Sequence, residues 1–255
     1  KMTNPMPPHF CIPTTAGTGS EVGRCAVVTL EEEQKKAIFF HPEMVPEIAV
    51  LDPTLTIGLP KHITAATGVD ALVHNLEALF APMFHPMADA IAVKGIQMIM
   101  QNLPIVLEEP TNIEARGKML LASTMGATAF QKGLGMVHSM AHPLSAKYNI
   151  HHGLANALLL PFCMDYIENY NLDETQVEKV QTLKQALNIS AEVPLKTFFL
   201  DLLNQVGIEI GLGKHGLNTD DIVELSESAL KDDSTPTNIF KLEKADFEKV
   251  FELAL

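Results

Sequence analysis

The sequence is poor in basic residues and in long apolar runs. Among its 255 residues, 18 lysines and arginines stand against 31 aspartates and glutamates, which leaves a formal net charge of −13 at pH 7. Because no basic stripe is available to contact phosphates, the composition argues against a nucleic-acid partner. No apolar run reaches the roughly 18 residues that a bilayer-spanning helix needs, and no signal-peptide pattern opens the chain, so we expect no membrane partner.

Cysteine is also scarce. The three cysteines, Cys11, Cys25 and Cys163, are odd in number and widely spaced. This inventory is typical of a reduced, cytoplasmic protein and offers no disulfide framework. The first residue is Lys1 rather than methionine, which is compatible with a piece of a longer protein. With 47% hydrophobic residues, the chain has enough apolar sequence for one large or two modest domains.

Hydrophobic periodicity divides the chain near residue 52. The first part contains short segments rich in valine, isoleucine and phenylalanine, which are typical of strands: HFCIPTT, CAVVTL, KAIFF and EIAVLD. The remainder has a helical period and predicts helices near 61–81, 86–108, 112–131, 135–146, 153–169, 174–187, 194–206, 219–231 and 243–254.

The predicted fold is mainly α. A handful of strands cannot bury two faces alone, so these strands should complete a sheet whose other strands lie upstream. We therefore expect residues 1–52 to be the last strands of a sheet that is otherwise largely absent here. Residues 53–255 should form a multi-helix domain.

Two segments carry metal-binding types of side chain at helical spacing. Asp70 and His74 lie in GVDALVHNLEALF, and His138, His142 and His152 lie in GLGMVHSMAHPLSAKYNIHHG. Side chains four residues apart share one face of a helix, so each pair can converge on one point. Imidazoles buried in such apolar segments cost free energy unless each has a partner, and a metal ion supplies one.

The donor types narrow the choice of metal. Oxygen and nitrogen donors without thiolate suit Fe(II), Zn(II), Co(II) or Mn(II), and donor chemistry does not choose among them. Spacing also leaves open which of His138 and His142 binds the metal. An ion of this kind polarises a carbonyl group or lowers the pKa of an alcohol. The sequence thus predicts a divalent-metal site of one aspartate and three or four histidines.

A second candidate site is the segment PTTAGTGSE, residues 13–21. Small and hydroxylated residues around Gly17 and Gly19 let a backbone approach a ligand closely and leave hydroxyl and N–H groups to donate hydrogen bonds. The segment is neither a GxGxxG fingerprint nor a P-loop. Two interpretations stay open: a polar turn, or contact with the phosphates or ribose of a nucleotide whose other half-site lies elsewhere.

Together these motifs resemble the iron-containing (group III) alcohol dehydrogenases, from PTTAGTGSE through ATGVDALVHNLEAL to GLGMVHSMAHPLSAKYNIHHGLANALLLP. The resemblance implies a dehydroquinate synthase-like fold, in which residues 1–52 are the last strands of an α/β dinucleotide-binding domain and residues 53–255 are the helical, metal-binding catalytic domain. By position, it implies that Asp70, His74, His138 and His152 bind the metal, with Fe(II) favoured over Zn(II). It also implies that His142 lies near the nicotinamide and handles substrate or a proton.

The same resemblance implies that Thr14, Thr15 and Thr18 line the nicotinamide cofactor, NAD or NADP, and that Lys36 contacts it. The implied reaction is reversible hydride transfer between a primary alcohol and NAD(P)⁺. We expect a small alcohol or aldehyde as substrate and a cytoplasmic homo-oligomer, a dimer, as the assembly. Because nothing here replaces the family's glycine-rich pyrophosphate loop, this chain alone is expected to be inactive.

Three alternatives remain open at this point. A glycerol dehydrogenase-like or dehydroquinate synthase-like enzyme would share the fold. A metal-dependent hydrolase would use the same Asp/His site to activate water, and it would need a carboxylate base, for which Glu77 is the nearest candidate in sequence. A non-catalytic helical module would use the histidines structurally or in oligomerisation.

Overall fold

The computed structural model describes residues 6–30 and 35–255, and the side chains of residues 29, 30 and 35–38 lie outside that description. Within it, four short strands lead into nine helices. The strands are β1 (Phe10–Cys11), β2 (Cys25–Leu30), β3 (Lys35–Phe40) and β4 (Ile48–Ala49). The helices are α1 (Lys61–Phe80), α2 (Pro86–Glu108), α3 (Ile113–Ala129), α4 (Met136–Tyr148), α5 (His152–Glu168), α6 (Glu174–Ala186), α7 (Leu195–Gln205), α8 (Ile222–Leu230) and α9 (Lys244–Ala254). The predicted mainly α fold is confirmed.

Helix α1 lies at the centre of the helical part. Its residues from Thr64 to Phe80 are all buried, and it packs against α2, α3, α5 and α6. A helix that is buried on every side belongs to a core, since no polar face is left for water. Any charged side chain between Thr64 and Phe80 must therefore find its partner inside the protein.

Asn75 of α1 fits between glycines of two neighbouring helices. A Cβ at Gly95 of α2 would lie 2.0 Å from Asn75 Oδ1, and a Cβ at Gly126 of α3 would lie 2.6 Å from Asn75 Nδ2. The same amide donates a hydrogen bond to Ala122 O of α3 at 3.1 Å. These contacts fix the rotation of α1 about its axis, so that a different side of the helix faces α4 and α5.

Helix α5 begins in close contact with α1 at Gly153. A Cβ at this position would lie 2.5 Å from Ala66 O and 3.2 Å from Asp70 Cβ. Only glycine therefore lets the first turn of α5 lie so near the backbone of α1. The close approach brings the adjacent residue, His152, next to Asp70.

The strands form two separate two-stranded pieces. β1 pairs with β4 in parallel, and β2 pairs with β3 in antiparallel register from Cys25 opposite Phe40 to Leu30 opposite Lys35. β1 and β4 have two residues each, so they are shorter than the segments HFCIPTT and EIAVLD suggest. Apolar side chains on them are exposed, and a larger sheet that covers them stays a prediction.

Helix α2 is the one described helix that is long and apolar enough to cross a membrane by length and composition. Its 23 residues include Asp89 and Lys94, which is why the sequence shows no uninterrupted apolar run. It packs against α1 and α3, and 44% of its most apolar stretch is buried. A single helix of this kind is weak evidence for a membrane span, because core helices have the same composition.

Replacing Gly153 with alanine should lower the free energy of unfolding by about 1–3 kcal/mol, because the added methyl group meets a backbone oxygen that cannot move aside alone. Urea denaturation followed by circular dichroism measures this change. The matched control is Gly58→Ala, where a Cβ meets nothing within 4 Å. The control should stay within about 0.5 kcal/mol of the wild type. Equal stability of the two variants would show that α5 can move away from α1 without cost.

Candidate metal centre

Three helices bring four donor side chains together in the interior. Asp70 and His74 project from α1, His138 from α4, and His152 from the first residue of α5. One donor atom from each residue lies within 4.8 Å of the donor atoms of the other three. Measured from Asp70 Oδ1, the Nε2 atoms of His152, His138 and His74 lie at 3.5, 3.9 and 4.0 Å.

These separations fit a shared divalent ion. Bonds of about 2.1 Å from nitrogen or oxygen to one ion, opening at the tetrahedral angle, place the donor atoms about 3.4 Å apart. The distance from Asp70 Oδ1 to His152 Nε2 is close to this value, and the distances to His138 Nε2 and His74 Nε2 are about half an ångström longer. Burial agrees with this fit, since Asp70 is only 1% exposed and a buried carboxylate needs a compensating positive charge.

Two of the histidines have their second ring nitrogen engaged away from the cluster. His138 Nδ1 lies 2.7 Å from Glu77 Oε2, and His74 Nδ1 lies 3.3 Å from Gly17 O. When Nδ1–H donates to an oxygen, Nε2 carries the lone pair that binds a metal. Both Nε2 atoms face the cluster. This is the arrangement that metal-binding histidines show with their outer partners.

Glu77 is buried beneath His138 and is held by α4 at both oxygens. Its Oε1 accepts from Val137 N at 2.6 Å, while its Oε2 faces the His138 ring. The hydrolase alternative needed Glu77 as a free base beside the site, and this geometry removes that candidate. Burial raises the pKa of Glu77 to about 8, although backbone N–H groups at the start of α4 lower it.

The surroundings of His138 favour its neutral imidazole. Burial lowers its pKa well below the usual range, and the three neighbouring imidazoles lower it further. Neutral imidazole is the form that binds a metal ion. A bound cation would in turn favour the ionised form of Glu77, because the local charge of an ion dominates a dry site.

His142 lies beside the donor cluster but is not part of it. Its Nδ1 lies 2.8 Å from Asp232 Oδ2, and its ring stacks on His152 with centroids 5.4 Å apart. The His142 side chain is 27% exposed, whereas that of His138 is 1% exposed. Asp232 follows α8, and its Oδ1 accepts a hydrogen bond from Ser234 N at 2.9 Å. The two histidines of HSMAH therefore have different partners and different environments.

Sequence reasoning missed two polar residues of this site. Asp232 lies 90 residues after His142, in a polar turn that spacing does not connect to the histidines. Asn156 lies four residues after His152 on α5, and its Nδ2 is 2.7 Å from Asp70 Oδ1. The four-residue spacing was the one available signal for Asn156.

The loop at residues 13–21 lies against the same centre. Gly17 O accepts hydrogen bonds from His74 Nδ1 and from Ser123 Oγ, the latter at 2.9 Å. Gly19 has φ +60°, and a Cβ on it would lie 2.3 Å from Ala127 Cβ. Glycine thus allows the loop to lie directly on α1 and α3. Among the described residues, the hydrogen bond between His74 Nδ1 and Gly17 O connects the loop to the candidate metal centre.

The hydroxyl side chains of this loop point away from the core. Thr14 and Thr18 are exposed, Thr15 is half-buried, and Thr18 Oγ1 lies 3.0 Å from Ser20 Oγ. They remain available to a ligand at the surface of the loop. The fourth residue predicted to contact a cofactor, Lys36, lies in β3, and its side chain is outside the described part of the chain.

The fold and the cluster define a helical protein with a buried set of metal-binding side chains. Over residues 64–255 the chain matches the model of the Fe-containing alcohol dehydrogenase family, C-terminal part. Over residues 1–53 it matches the model of iron-containing alcohol dehydrogenase. The chain therefore belongs to the iron-containing alcohol dehydrogenase family.

Individual relatives agree with this assignment. The 4-hydroxybutyrate dehydrogenase of Cupriavidus necator is 34% identical, over 100% of this chain and 68% of the relative. The 1,3-propanediol dehydrogenase of Klebsiella pneumoniae is 33% identical, over 99% of this chain and 66% of the relative. The chain thus spans about two thirds of the length of these relatives.

Solved structures give the same result for the fold. A crystal structure of 1,3-propanediol oxidoreductase superposes with a TM-score of 0.93 at 33% identity, covering 100% of this chain and 68% of that chain. The alcohol dehydrogenase from Oenococcus oeni superposes with a TM-score of 0.92 at 32% identity, covering 100% of this chain and 67% of that chain. The predicted fold family is confirmed.

Substitution of the two histidines of HSMAH should separate their roles. His138→Ala removes a donor from the cluster, so the purified protein should lose its bound metal. His142→Ala should retain metal, because His142 is held by Asp232 outside the cluster. Metal analysis of the two variants beside the wild type measures both outcomes. The reverse result, metal lost only from His142→Ala, would overturn the assignment.

Replacing Glu77 with glutamine should weaken metal binding by about 10–100-fold. Glutamine has one carbonyl oxygen, so it cannot accept from both Val137 N and His138 Nδ1 as the two oxygens of Glu77 do. The His138 ring then loses the acceptor that keeps the proton on Nδ1 and leaves Nε2 unprotonated. Competition with a chelator measures the affinity. Glu108→Gln, an exposed position at the end of α2, is the matched control and should bind metal as the wild type does. Unchanged affinity in Glu77→Gln would show that Glu77 does not orient His138.

Proposed function

We propose that this chain is the metal-binding part of an NAD(P)-dependent alcohol dehydrogenase, which interconverts a primary alcohol and an aldehyde. The observation that carries the proposal is the buried cluster of one carboxylate and three imidazoles in a chain of this family. The names of relatives support the substrate class, since 4-hydroxybutyrate and 1,3-propanediol both carry a primary hydroxyl group.

Asp70, His74, His138 and His152 hold the divalent ion in this proposal, with Fe(II) favoured by the family and Zn(II) as the second choice. When bound, such an ion supplies Lewis acidity that lowers the pKa of an alcohol. The protein side chains exclude water from three of the four donors, because Asp70, His74 and His138 are buried. Low local polarity strengthens the electrostatic effect of a charge at this point.

His142 handles the proton of the reaction. Its Nδ1 is hydrogen-bonded to Asp232 Oδ2, so Nε2 is the ring nitrogen that can exchange a proton with substrate or water. Its side chain is partly exposed while its ring contacts His152, so it lies between the cluster and solvent. An imidazole in this position suits transfer of a proton between an alcohol at the centre and water.

Thr14, Thr15 and Thr18 line the nicotinamide cofactor, and Lys36 contacts it. Support comes from the loop geometry, because Gly17 O accepts a hydrogen bond from His74 while the threonine side chains stay partly or fully exposed.

Residues 1–52 are assigned to the dinucleotide domain and residues 53–255 to the catalytic domain. The rest of the dinucleotide site is assigned to sequence outside this chain, so the chain alone should be inactive. A cytoplasmic location and a homodimer stay predictions.

A spectroscopic assay of the full-length protein tests the activity. With Fe(II) or Zn(II), NAD⁺ or NADP⁺, and 1,3-propanediol, 4-hydroxybutyrate or 1-propanol, the absorbance of the reduced cofactor should rise. His142→Ala should lower kcat by about 100-fold or more at full metal occupancy, since general acid–base groups contribute that much. An ester and an amide are the control substrates. Hydrolysis of either one, without hydride transfer between the cofactor and any alcohol or aldehyde, would contradict the proposal.

A further inference from the structure

Asn156 lies inside the candidate metal centre without belonging to the donor set. It is on α5, one turn after His152, and it is 0% exposed. Its Nδ2 lies 2.7 Å from Asp70 Oδ1, 3.2 Å from His138 Nε2 and 3.3 Å from His152 Nε2. One amide group therefore faces three of the four donor atoms.

Lone pairs decide which of these contacts is compatible with a bound ion. A carboxylate oxygen has lone pairs for an ion and for a hydrogen bond, whereas an imidazole Nε2 has one lone pair. His138 and His152 cannot accept from Asn156 while they bind an ion. Asp70 can do both, and its bond to Asn156 is the shortest of the three and is assisted by the carboxylate charge.

The other end of the same amide indicates that packing does not explain an asparagine here. Asn156 Oδ1 is buried and accepts no hydrogen bond from the described residues. A buried acceptor without a partner costs free energy, and a leucine of similar size would not carry that cost. The favourable contact of this side chain is therefore the one that Nδ2 makes with Asp70.

We propose that Asn156 is a positioning residue of the metal centre. Its Nδ2 donates to Asp70 Oδ1 and fixes the orientation in which the carboxylate binds a divalent ion. The inference rests on the proposed function, because it requires the four donors to hold a metal. It adds a determinant of metal affinity that makes no bond to the metal itself.

Metal titration of Asn156→Leu and Asn156→Ala in the full-length protein tests the inference. Leucine keeps the volume and removes the donor, while alanine avoids any clash from the branched side chain. Competition between the protein and a chelator for Zn(II) should show an affinity about 10–100-fold weaker than the wild type. The visible spectrum of the Co(II) form at saturating metal should match the wild type, because all four donors remain.

The matched control is Asn102→Ala on α2. Asn102 is also buried, at 4% exposure, but its Nδ2 donates to Met98 O, and neither residue belongs to the donor cluster. This variant should bind Zn(II) as tightly as the wild type, even if its melting temperature falls. It separates loss of a buried amide in general from loss of the Asp70 contact.

Each other outcome overturns the inference in a distinct way. If the wild type binds metal and both Asn156 variants bind it equally tightly, the positioning role is wrong and the proposed function stands. If the Co(II) absorption at saturation rises to the intensity of a lower coordination number, a ligand has been lost and Asn156 is itself that ligand, which also contradicts a positioning role. If the wild type binds no divalent metal, the proposed function and the inference both fail.

Discussion

Asp70 carries a carboxylate into the middle of an apolar helical core, and the surrounding structure is arranged to keep it there. It is 1% exposed on a helix that has no face toward water. An unpaired charge in such a place would be strongly unfavourable. Its neighbours are an amide N–H of Asn156 and the Nε2 atoms of three histidines, in place of the hydrocarbon that fills the rest of the core. A divalent ion held by these donors would balance the charge.

Hydrogen bonds outside the donor cluster give His74, His138 and the adjacent His142 their directions. His74 is held by the Gly17 carbonyl, His138 by Glu77 of the central helix, and His142 by the turn after α8. Three distant parts of the chain must therefore be packed before the centre has its geometry. The Gly17 contact also holds the candidate cofactor loop against the metal centre.

Much of this architecture could be predicted from the sequence because helical periodicity and four-residue spacing are local properties. The choice between His138 and His142 could not be made from spacing, because it depends on partners far away in the chain. Glu77 lies 61 residues before His138, and Asp232 lies 90 residues after His142. Asn156 was also missed, because its four-residue spacing from His152 does not reveal the contact of its amide with Asp70. The segments HFCIPTT and EIAVLD form shorter strands than their composition suggests, because pairing also depends on a neighbouring strand.

Four side chains of α1, α4 and α5 should hold one divalent ion, and diffraction from crystals grown with Fe(II) or Zn(II), measured at the absorption edge of the metal, would locate it. We expect one strong anomalous peak, about 2.1 Å from an oxygen of Asp70 and from the Nε2 atoms of His74, His138 and His152. His142 should remain on its carboxylate partner. A peak bonded to His142 in place of His138, or no peak among the four donors, would show that these four side chains do not hold the ion.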